Sequence, residues 1–412
     1  MASAPVTHIL NRDDYSKHRL VTLPSDPLPA LPPSSIRIQS KILGLTTNNL
    51  TYAKLGFLMG WWDVYPQPPN TPEPYNDAST YGRISAWGYA EIIESTVADI
   101  PAGNSVYGFL PISTLPEDVQ VEQTGLKNHI FVTNPYRQHL WKIYNRYKVH
   151  PPLAELEVAK TLDFLGWDAL MEGLFATSYN LSAYGFAWVE KNRIHPTGAG
   201  EWTAEDACLD NSTVVCLSAS GKTGMSFAHQ LRHHRPNRHQ PQTIIGVCSS
   251  ASKAVTEKSG FYDKVMLYDD AEAARQFIEE NRSRRVVLLD FGARSGAAQI
   301  WTDVLSAVSQ PFTFVAVGGE VKAMKKEDVV KLMGQSPKQI QANANELKEK
   351  GLQLGGDEYL DGFYATWDAF KRAGGIPGVK LEWREGLEAW EEGWERFCAD
   401  EVRAGEGLVY RI

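Results

Sequence analysis

Between residues 213 and 317 the apolar positions come in short unbroken runs instead of alternating with polar ones. Thr213 to Leu217 (TVVCL), Thr243 to Val247 (TIIGV), Val265 to Leu267 (VML), Val286 to Leu289 (VVLL) and Phe312 to Val317 (FTFVAV) are the runs. Helical patterns such as Ala271 to Asn281 (AEAARQFIEEN) and Trp301 to Val308 separate them. Continuous apolar strands alternating with amphipathic helices predict an α/β fold with a doubly wound parallel sheet, covered on both faces. Ligands of such sheets sit at the carboxyl ends of the strands. Upstream the pattern changes. Ile36 to Ile42 (IRIQSKI) alternates apolar and polar residues, and Arg83 to Glu94 and Ser105 to Pro111 read as further strands separated by Gly and Pro clusters. That pattern predicts a β-rich domain with exposed faces.

At 412 residues the chain exceeds what one hydrophobic core usually serves, so two domains are expected. A formal net charge of -8 argues against a nucleic-acid surface. No apolar run reaches the length of a membrane span, and the N-terminus lacks the apolar core of a secretory signal. Cys208, Cys216, Cys248 and Cys398 are scattered, with no C-x-x-C pair, which suggests a reduced, cytoplasmic protein without disulfides or a zinc knuckle. The expected partner is a small molecule, with no nucleic acid and no membrane; monomer and homodimer both remain open.

The first apolar run ends in Ser218-Ala219-Ser220-Gly221-Lys222-Thr223-Gly224 and opens into a helical pattern. A strand, a tight Gly-bearing turn and a helix in that order aim helix N-terminal amides at a phosphate pair. The dinucleotide fingerprint G-x-G-x-x-G is met only at Gly221 and Gly224. A P-loop is the nearest rival through Gly221-Lys222-Thr223, but its leading Gly is here Cys216, in the middle of a strand. After the second run, an NAD site places a carboxylate on the ribose. This chain has Ser249, Ser250 and Lys253 there instead, donors suited to a 2′-phosphate, so NADPH is the expected cofactor. The fifth run ends in Gly318-Gly319.

The order of these parts resembles the medium-chain dehydrogenase/reductase superfamily, in its zinc-free quinone-oxidoreductase and enoyl-reductase branches. Leu45 to Gly56 (LTTNNLTYAKLG) resembles the segment lining that family's substrate cleft, and Ser105 to Leu110 resembles its GDRVYGF strand. Gly173 to Tyr179 (GLFATSY) resembles the helix before its nucleotide domain, and the C-terminal GEGLVYRI its closing strand. WWDVYP, YGRISAWGYAEIIES and SASGKTG together resemble more closely a family of fungal and bacterial proteins of unknown function. The superfamily resemblance implies a GroES-like β domain over 1–160 and 373–412, and an inserted Rossmann domain over 161–372. It also implies that Thr177 and Asp290 lie near the cofactor and Tyr52 in the cleft. The superfamily's zinc-ligand sets are absent, so a zinc-independent enzyme is expected.

Hydride transfer from NADPH needs an electrophilic carbon held in place. Without zinc to polarise a plain ketone, an enone, enoyl or quinone acceptor fits better, with Tyr52, Asn48 or Asn49 donating to the enolate oxygen. Trp61, Trp62, Tyr65, Tyr81 and Trp87 offer walls for an aromatic or polyketide-like substrate, or else pack as core; Tyr81 is a further candidate donor. A non-redox isomerase, cyclase or lyase and a catalytically silent NADPH-binding protein remain as alternatives. His229 and His233 have the i, i+4 spacing of a metal pair but sit among Arg232 and Arg235, where a cation would meet like charge. The patch HHRPNRH reads as a solvated loop and Glu391 to Glu395 as surface charge. Pro135 to Pro152 covers either the cleft or an oligomer surface.

Overall fold

The computed structural model describes residues 4–294, 296–308, 310–319 and 339–412. The first part of the chain supplies strands β1 (Val6–Asn11), β2 (His18–Thr22), β3 (Ser35–Leu45), β4 (Tyr81–Gly82), β5 (Ser85–Ser95), β6 (Ser105–Pro111), β7 (Glu117–Gln123), β8 (His129–Val132) and β9 (Arg146–His150), with helix α1 (Thr47–Met59) after β3. Helices α2 (Leu153–Ala159), α3 (Leu162–Asn180) and α4 (Ala204–Ala207) follow. The five apolar runs are the parallel strands β10 (Thr213–Leu217), β11 (Thr243–Cys248), β12 (Lys264–Leu267), β13 (Val286–Asp290) and β14 (Phe312–Ala316). Between them run α5 (Lys222–His233), α6 (Lys253–Ser259), α7 (Ala271–Asn281) and α8 (Ala297–Ser306). The chain ends with β15 (Ile340–Gln341), α9 (Ala344–Gly355), α10 (Asp357–Arg372), β16 (Lys380–Glu385), α11 (Gly386–Cys398) and β17 (Glu406–Arg411).

The second sheet has the order β12-β11-β10-β13-β14-β15, the order of a Rossmann sheet, which reverses direction at β10. β10, β11 and β13 are buried at every position because helices cover both faces, as the unbroken apolar runs require. The largest sheet runs β16-β17-β3-β5-β6-β9-β8-β7, and β7 pairs back onto β3, which curls the sheet toward closure. Its last strand comes from the end of the chain: β17 pairs antiparallel with β3, Leu408 opposite Leu45. The nucleotide-type sheet is therefore an insertion between β9 and β16. A third, three-stranded sheet, β2-β1-β4, had no counterpart in the sequence pattern.

One element ties the two larger sheets together. α3 is apolar around most of its circumference, with Leu165, Trp167, Leu170, Met171 and Phe175 buried, as expected of a helix enclosed on all sides. It packs against β3, β5 and β17 on one flank and against α5, α9 and α10 on the other.

Candidate active site

Register assembles the carboxyl edge of the parallel sheet. Leu217 lies opposite both Val247 and Asp290, and Asp290 opposite Ala316. Ser218–Gly224, Ser249–Lys253, Asp290 and Gly318-Gly319 therefore emerge side by side at the carboxyl ends of the strands. Ser218 takes the left-handed conformation, φ 55°, one residue before Ala219, the first position of the fingerprint; glycine adopts that conformation without strain. Its amide donates to the Tyr268 hydroxyl (3.2 Å), and the Tyr262 hydroxyl donates to the Ala219 carbonyl (2.9 Å), so two tyrosines brace the turn. α5 begins at Lys222 with Gly221 as its N-cap, no side-chain cap and no acidic residue in its first turn. The first-turn amides thus keep their partial positive charge uncompensated. A Cβ on Gly224 would stand 3.2 Å from the Ser218 carbonyl oxygen and 3.3 Å from Phe291 Cδ2. The close approach of helix to strand therefore favours glycine at this position, as in a pyrophosphate site.

The other residues at this edge differ in exposure and in partners. Ser249 and Ser250 are exposed, and Lys253 is half-exposed and held near Glu257 (3.7 Å). Asp290 Oδ1 accepts from the amides of Gly292 (2.9 Å) and Ala293 (2.7 Å), shaping the turn after β13. Lys222 is drawn inward: Nζ donates to the Glu406 carbonyl of β17 (3.1 Å), and burial lowers its pKa to about 8 against the raising effect of Glu406. α3 reaches the same turn through Ser178 Oγ, which donates to the Thr223 carbonyl (2.8 Å). Neighbouring Thr177 is half-buried and donates back to the Gly173 carbonyl (3.1 Å).

On the β-sheet side, α1 starts with a capping box: the Thr46 amide donates to Asn49 Oδ1 (2.9 Å) and the Asn48 amide to Thr46 Oγ1 (3.2 Å). Asn49 Nδ2 is also engaged, on the Ser85 carbonyl (3.2 Å), so the buried Asn49 amide is occupied at both ends. Tyr52, 2% exposed, accepts from Asn48 Nδ2 (2.9 Å) and Trp87 Nε1 (3.0 Å). The Tyr144 hydroxyl is its third hydrogen-bond partner. Burial raises the Tyr52 pKa, which keeps it a neutral phenol. Asn48 is half-buried, and its second amide N–H has no partner among the described residues. Tyr81 lies in β4 of the small sheet, with its ring on Tyr75 (5.2 Å) instead of near Tyr52.

Several expectations are corrected by these surroundings. Trp61, Trp62 and Tyr65 are core residues, and of the five aromatics only Tyr81 and Trp87 stay half-exposed. HHRPNRH is only partly solvated: Arg235, 3% exposed, donates to the Ser182 carbonyl (3.2 Å) and lies 5.0 Å from the Trp188 ring. His229 is buried too and stacks on His233 at 4.4 Å. In Glu391–Glu395, Glu391 accepts from the Leu20 amide (3.1 Å) and Trp394 is fully buried. The 135–152 segment is two-sided: its Tyr144 ring packs on Tyr52 (5.9 Å) and Trp87 (6.1 Å), in keeping with a cover over that region, while Pro135, Gln138, His139 and Lys142 are exposed.

The sequence pattern did not disclose a polar cluster on α3. Asp168 Oδ1 accepts from Trp367 Nε1 (2.7 Å) and Lys371 Nζ (2.5 Å), and Oδ2 from the Tyr89 hydroxyl (2.7 Å). One turn on, Glu172 accepts from the Tyr364 hydroxyl (3.4 Å). Burial, then the Asp168 charge, pushes the Glu172 pKa up to about 7, against the pull of Lys148, Lys371 and Lys348. Glu172 precedes Gly173, where an added Cβ would lie 3.9 Å from the Trp87 indole. The available signal was two carboxylates spaced i, i+4 within an otherwise apolar helix, a placement rare without partners. Among the described residues, no group of three or more His, Cys, Asp or Glu side chains is placed to hold a metal ion, and no helix is long and apolar enough to cross a membrane.

Residues 43–403 match the model of a family described as "Protein of unknown function (DUF2855)". No curated protein matches the sequence. Among solved structures, the Etr1p/NADP/crotonyl-CoA complex is similar at 10% identity, covering 100% of both chains with a TM-score of 0.57. The apo JamJ enoyl reductase is similar at 15% identity, 99% of both chains and a TM-score of 0.54. CurA from Vibrio vulnificus in complex with NADPH is similar at 12% identity, 98% of both chains and a TM-score of 0.53. At these identities the likeness is one of fold, a GroES-like β domain with a Rossmann domain.

Proposed function

The chain belongs to the family described as "Protein of unknown function (DUF2855)", and we propose that it is an NADPH-dependent, zinc-independent reductase of an activated C=C bond or a quinone. The observation that carries this reading is the uncapped α5 N-terminus after β10, set in a fold shared with the JamJ enoyl reductase and with two solved structures named with NADP or NADPH. The amides of Ser220 through Gly224 would hold the pyrophosphate, and Ser249, Ser250 and Lys253 the 2′-phosphate. Thr177, Asp290, Gly318 and Gly319 would border the nicotinamide end. When bound, the cofactor supplies a hydride to an electrophilic carbon of the substrate.

The chain's own residues then have separate tasks. Asn48, with one N–H spent on Tyr52, offers the other to the enolate oxygen that develops. Tyr52 acts as a positioning residue, fixing the Asn48 amide while Trp87 fixes Tyr52. The substrate is a small molecule, aromatic or polyketide-like, lying between α1 and α3, and the domain division follows 1–160 with 373–412 against 161–372. A non-redox isomerase, cyclase or lyase is the second reading, favoured by Glu172, whose pKa of about 7 suits an acid or base at neutral pH.

Fluorescence titration is the test. NADPH should bind about tenfold or more tightly than NADH, and Lys253→Glu should weaken NADPH while sparing NADH through like-charge repulsion. Equal affinities defeat the cofactor choice. NADPH oxidation with a panel of enones and quinones supports reduction, whereas turnover without NADPH consumption selects the second reading.

A further inference from the structure

Gly173 stands in the interior of α3, where a glycine weakens a helix relative to alanine. Other helical glycines have a packing reason. A Cβ would stand 2.6 Å from the Trp62 ring at Gly56, 2.8 Å from the Trp383 ring at Gly166 and 2.6 Å from the Tyr359 ring at Gly351. Among the described residues, every helical glycine but one would bring its Cβ within 3.2 Å of an existing atom. Gly173 is the exception: the nearest atoms to its Cβ would be Cε2 and Nε1 of Trp87, both at 3.9 Å, an ordinary van der Waals distance. Alanine therefore fits without displacing anything, and packing does not explain the glycine. The missing methyl leaves a notch one carbon wide between α3 and the Trp87 indole, and solvent reaches it, since Gly173 and Trp87 are both half-exposed.

Two sets of contacts tie the notch to the proposed site. Trp87 Nε1 donates to the Tyr52 hydroxyl (3.0 Å), which accepts from Asn48 Nδ2 (2.9 Å). Along α3, Thr177 lies one turn beyond Gly173, on the same helix face, and its hydroxyl donates to the Gly173 carbonyl (3.1 Å). The notch thus borders the residues given above to the developing enolate and to the nicotinamide end. Its polar groups are already committed: the one indole N–H of Trp87 goes to Tyr52, and the Gly173 carbonyl takes the Thr177 hydroxyl. A hydroxyl placed there gains no partner from these groups, whereas a methyl needs none.

We infer that Gly173 is a specificity-determining residue: the notch opposite Trp87 receives a one-carbon branch, so the substrate carries a methyl group on or beside its reacting double bond. The identity of the reacting bond rests on the reductase reading; the notch does not.

The test compares the full-length wild type with Gly173→Ala, which fills the notch with a carbon of the protein's own. Calorimetric titration with cyclohexanone and 2-methylcyclohexanone, which have no C=C bond to reduce, reads binding alone. NADPH oxidation reads kcat/KM for 2-cyclohexenone against 2-methyl-2-cyclohexenone and for 1,4-naphthoquinone against 2-methyl-1,4-naphthoquinone. The effect of the methyl group on intrinsic reactivity cancels when one pair is compared in two proteins. Relative to its partner, the methylated member should lose about tenfold or more on going from the wild type to Gly173→Ala, the discrimination that one carbon supports in a fitted pocket. The melting temperature of Gly173→Ala should equal or exceed that of the wild type, while Gly166→Ala should melt lower because its Cβ meets Trp383. A Gly173→Ala protein that melts lower or fails to fold shows that packing requires the glycine and overturns the inference. A methyl preference unchanged by the substitution overturns it too, as does the absence of both ketone binding and turnover. If the ketone preference shifts while no pair oxidises NADPH, the reductase reading falls and the notch stands. If NADPH is oxidised with unchanged ratios, the notch falls and the reductase reading stands.

Discussion

Replacing Lys371 with Met tests the contact that fixes α3 between the two larger sheets. The Lys371 and Asp168 side chains are 2% and 3% exposed, with Nζ to Oδ1 at 2.5 Å. Removing the cation leaves a buried carboxylate with only two neutral donors, Trp367 Nε1 and the Tyr89 hydroxyl. Breaking one side of such a pair costs about 3 to 5 kcal/mol, because the remaining charge is stranded. The reverse change should cost less. Asp168→Asn keeps an acceptor for Trp367, and Lys371 retains Asp368 (3.2 Å) and the Phe164 ring (3.6 Å). The double variant should be more stable than Lys371→Met alone, since it strands neither charge. Urea unfolding of the four proteins gives the coupling energy directly. A Lys371→Met cost below about 1 kcal/mol, or a double variant equal to the sum of the singles, would refute the stranded charge as the cause.

Asn48→Ala should lower turnover by roughly 10²-fold at little cost in NADPH affinity, the loss expected of one preorganised donor. Tyr52→Phe should lower turnover less and destabilise by about 1 to 3 kcal/mol, because Asn48 and Trp87 lose their acceptor; unchanged turnover in both variants removes this pair from the site. Glu172 has a folded pKa near 7 against an ordinary 4.5, so the folded state binds more protons in that window and its stability falls as pH rises from 4.5 to 7. Glu172→Gln should match the wild type near pH 4.5 and exceed it by about 3 kcal/mol at pH 8; a stability difference that stays flat with pH contradicts the buried carboxylate. Activity on enones or quinones should survive chelation, and elemental analysis should find no stoichiometric zinc; loss on chelation with recovery on adding zinc reverses that expectation.

The parallel sheet was legible in the sequence because its strands are buried on both faces, so runs such as TVVCL and VVLL carry no charged side chain on either side. The strand-turn-helix unit was legible because close helix-to-strand packing at Gly224 and the tight turn before it restrict residue choice locally. Ala219 departs from the glycine pattern, and the residue before it, Ser218, occupies the left-handed conformation although it is not glycine. What the chain could not reveal by itself were relations between distant segments. Tyr52 looked like a donor, yet whether its hydroxyl is free depends on Trp87 and Tyr144, which come from other parts of the β domain. Asn48 and Asn49 are adjacent and chemically alike; only the capping geometry at Thr46 and the carbonyl of Ser85 separate a committed amide from an available one. Asp168 and Glu172 were visible as letters in an apolar helix, but their partners Lys371, Tyr364, Lys148 and Lys348 arrive from β9, α9 and α10. Burial and charge balance are sums over neighbours in space, so local spacing specified the strands and the turn, and tertiary packing decided which polar groups are left to act.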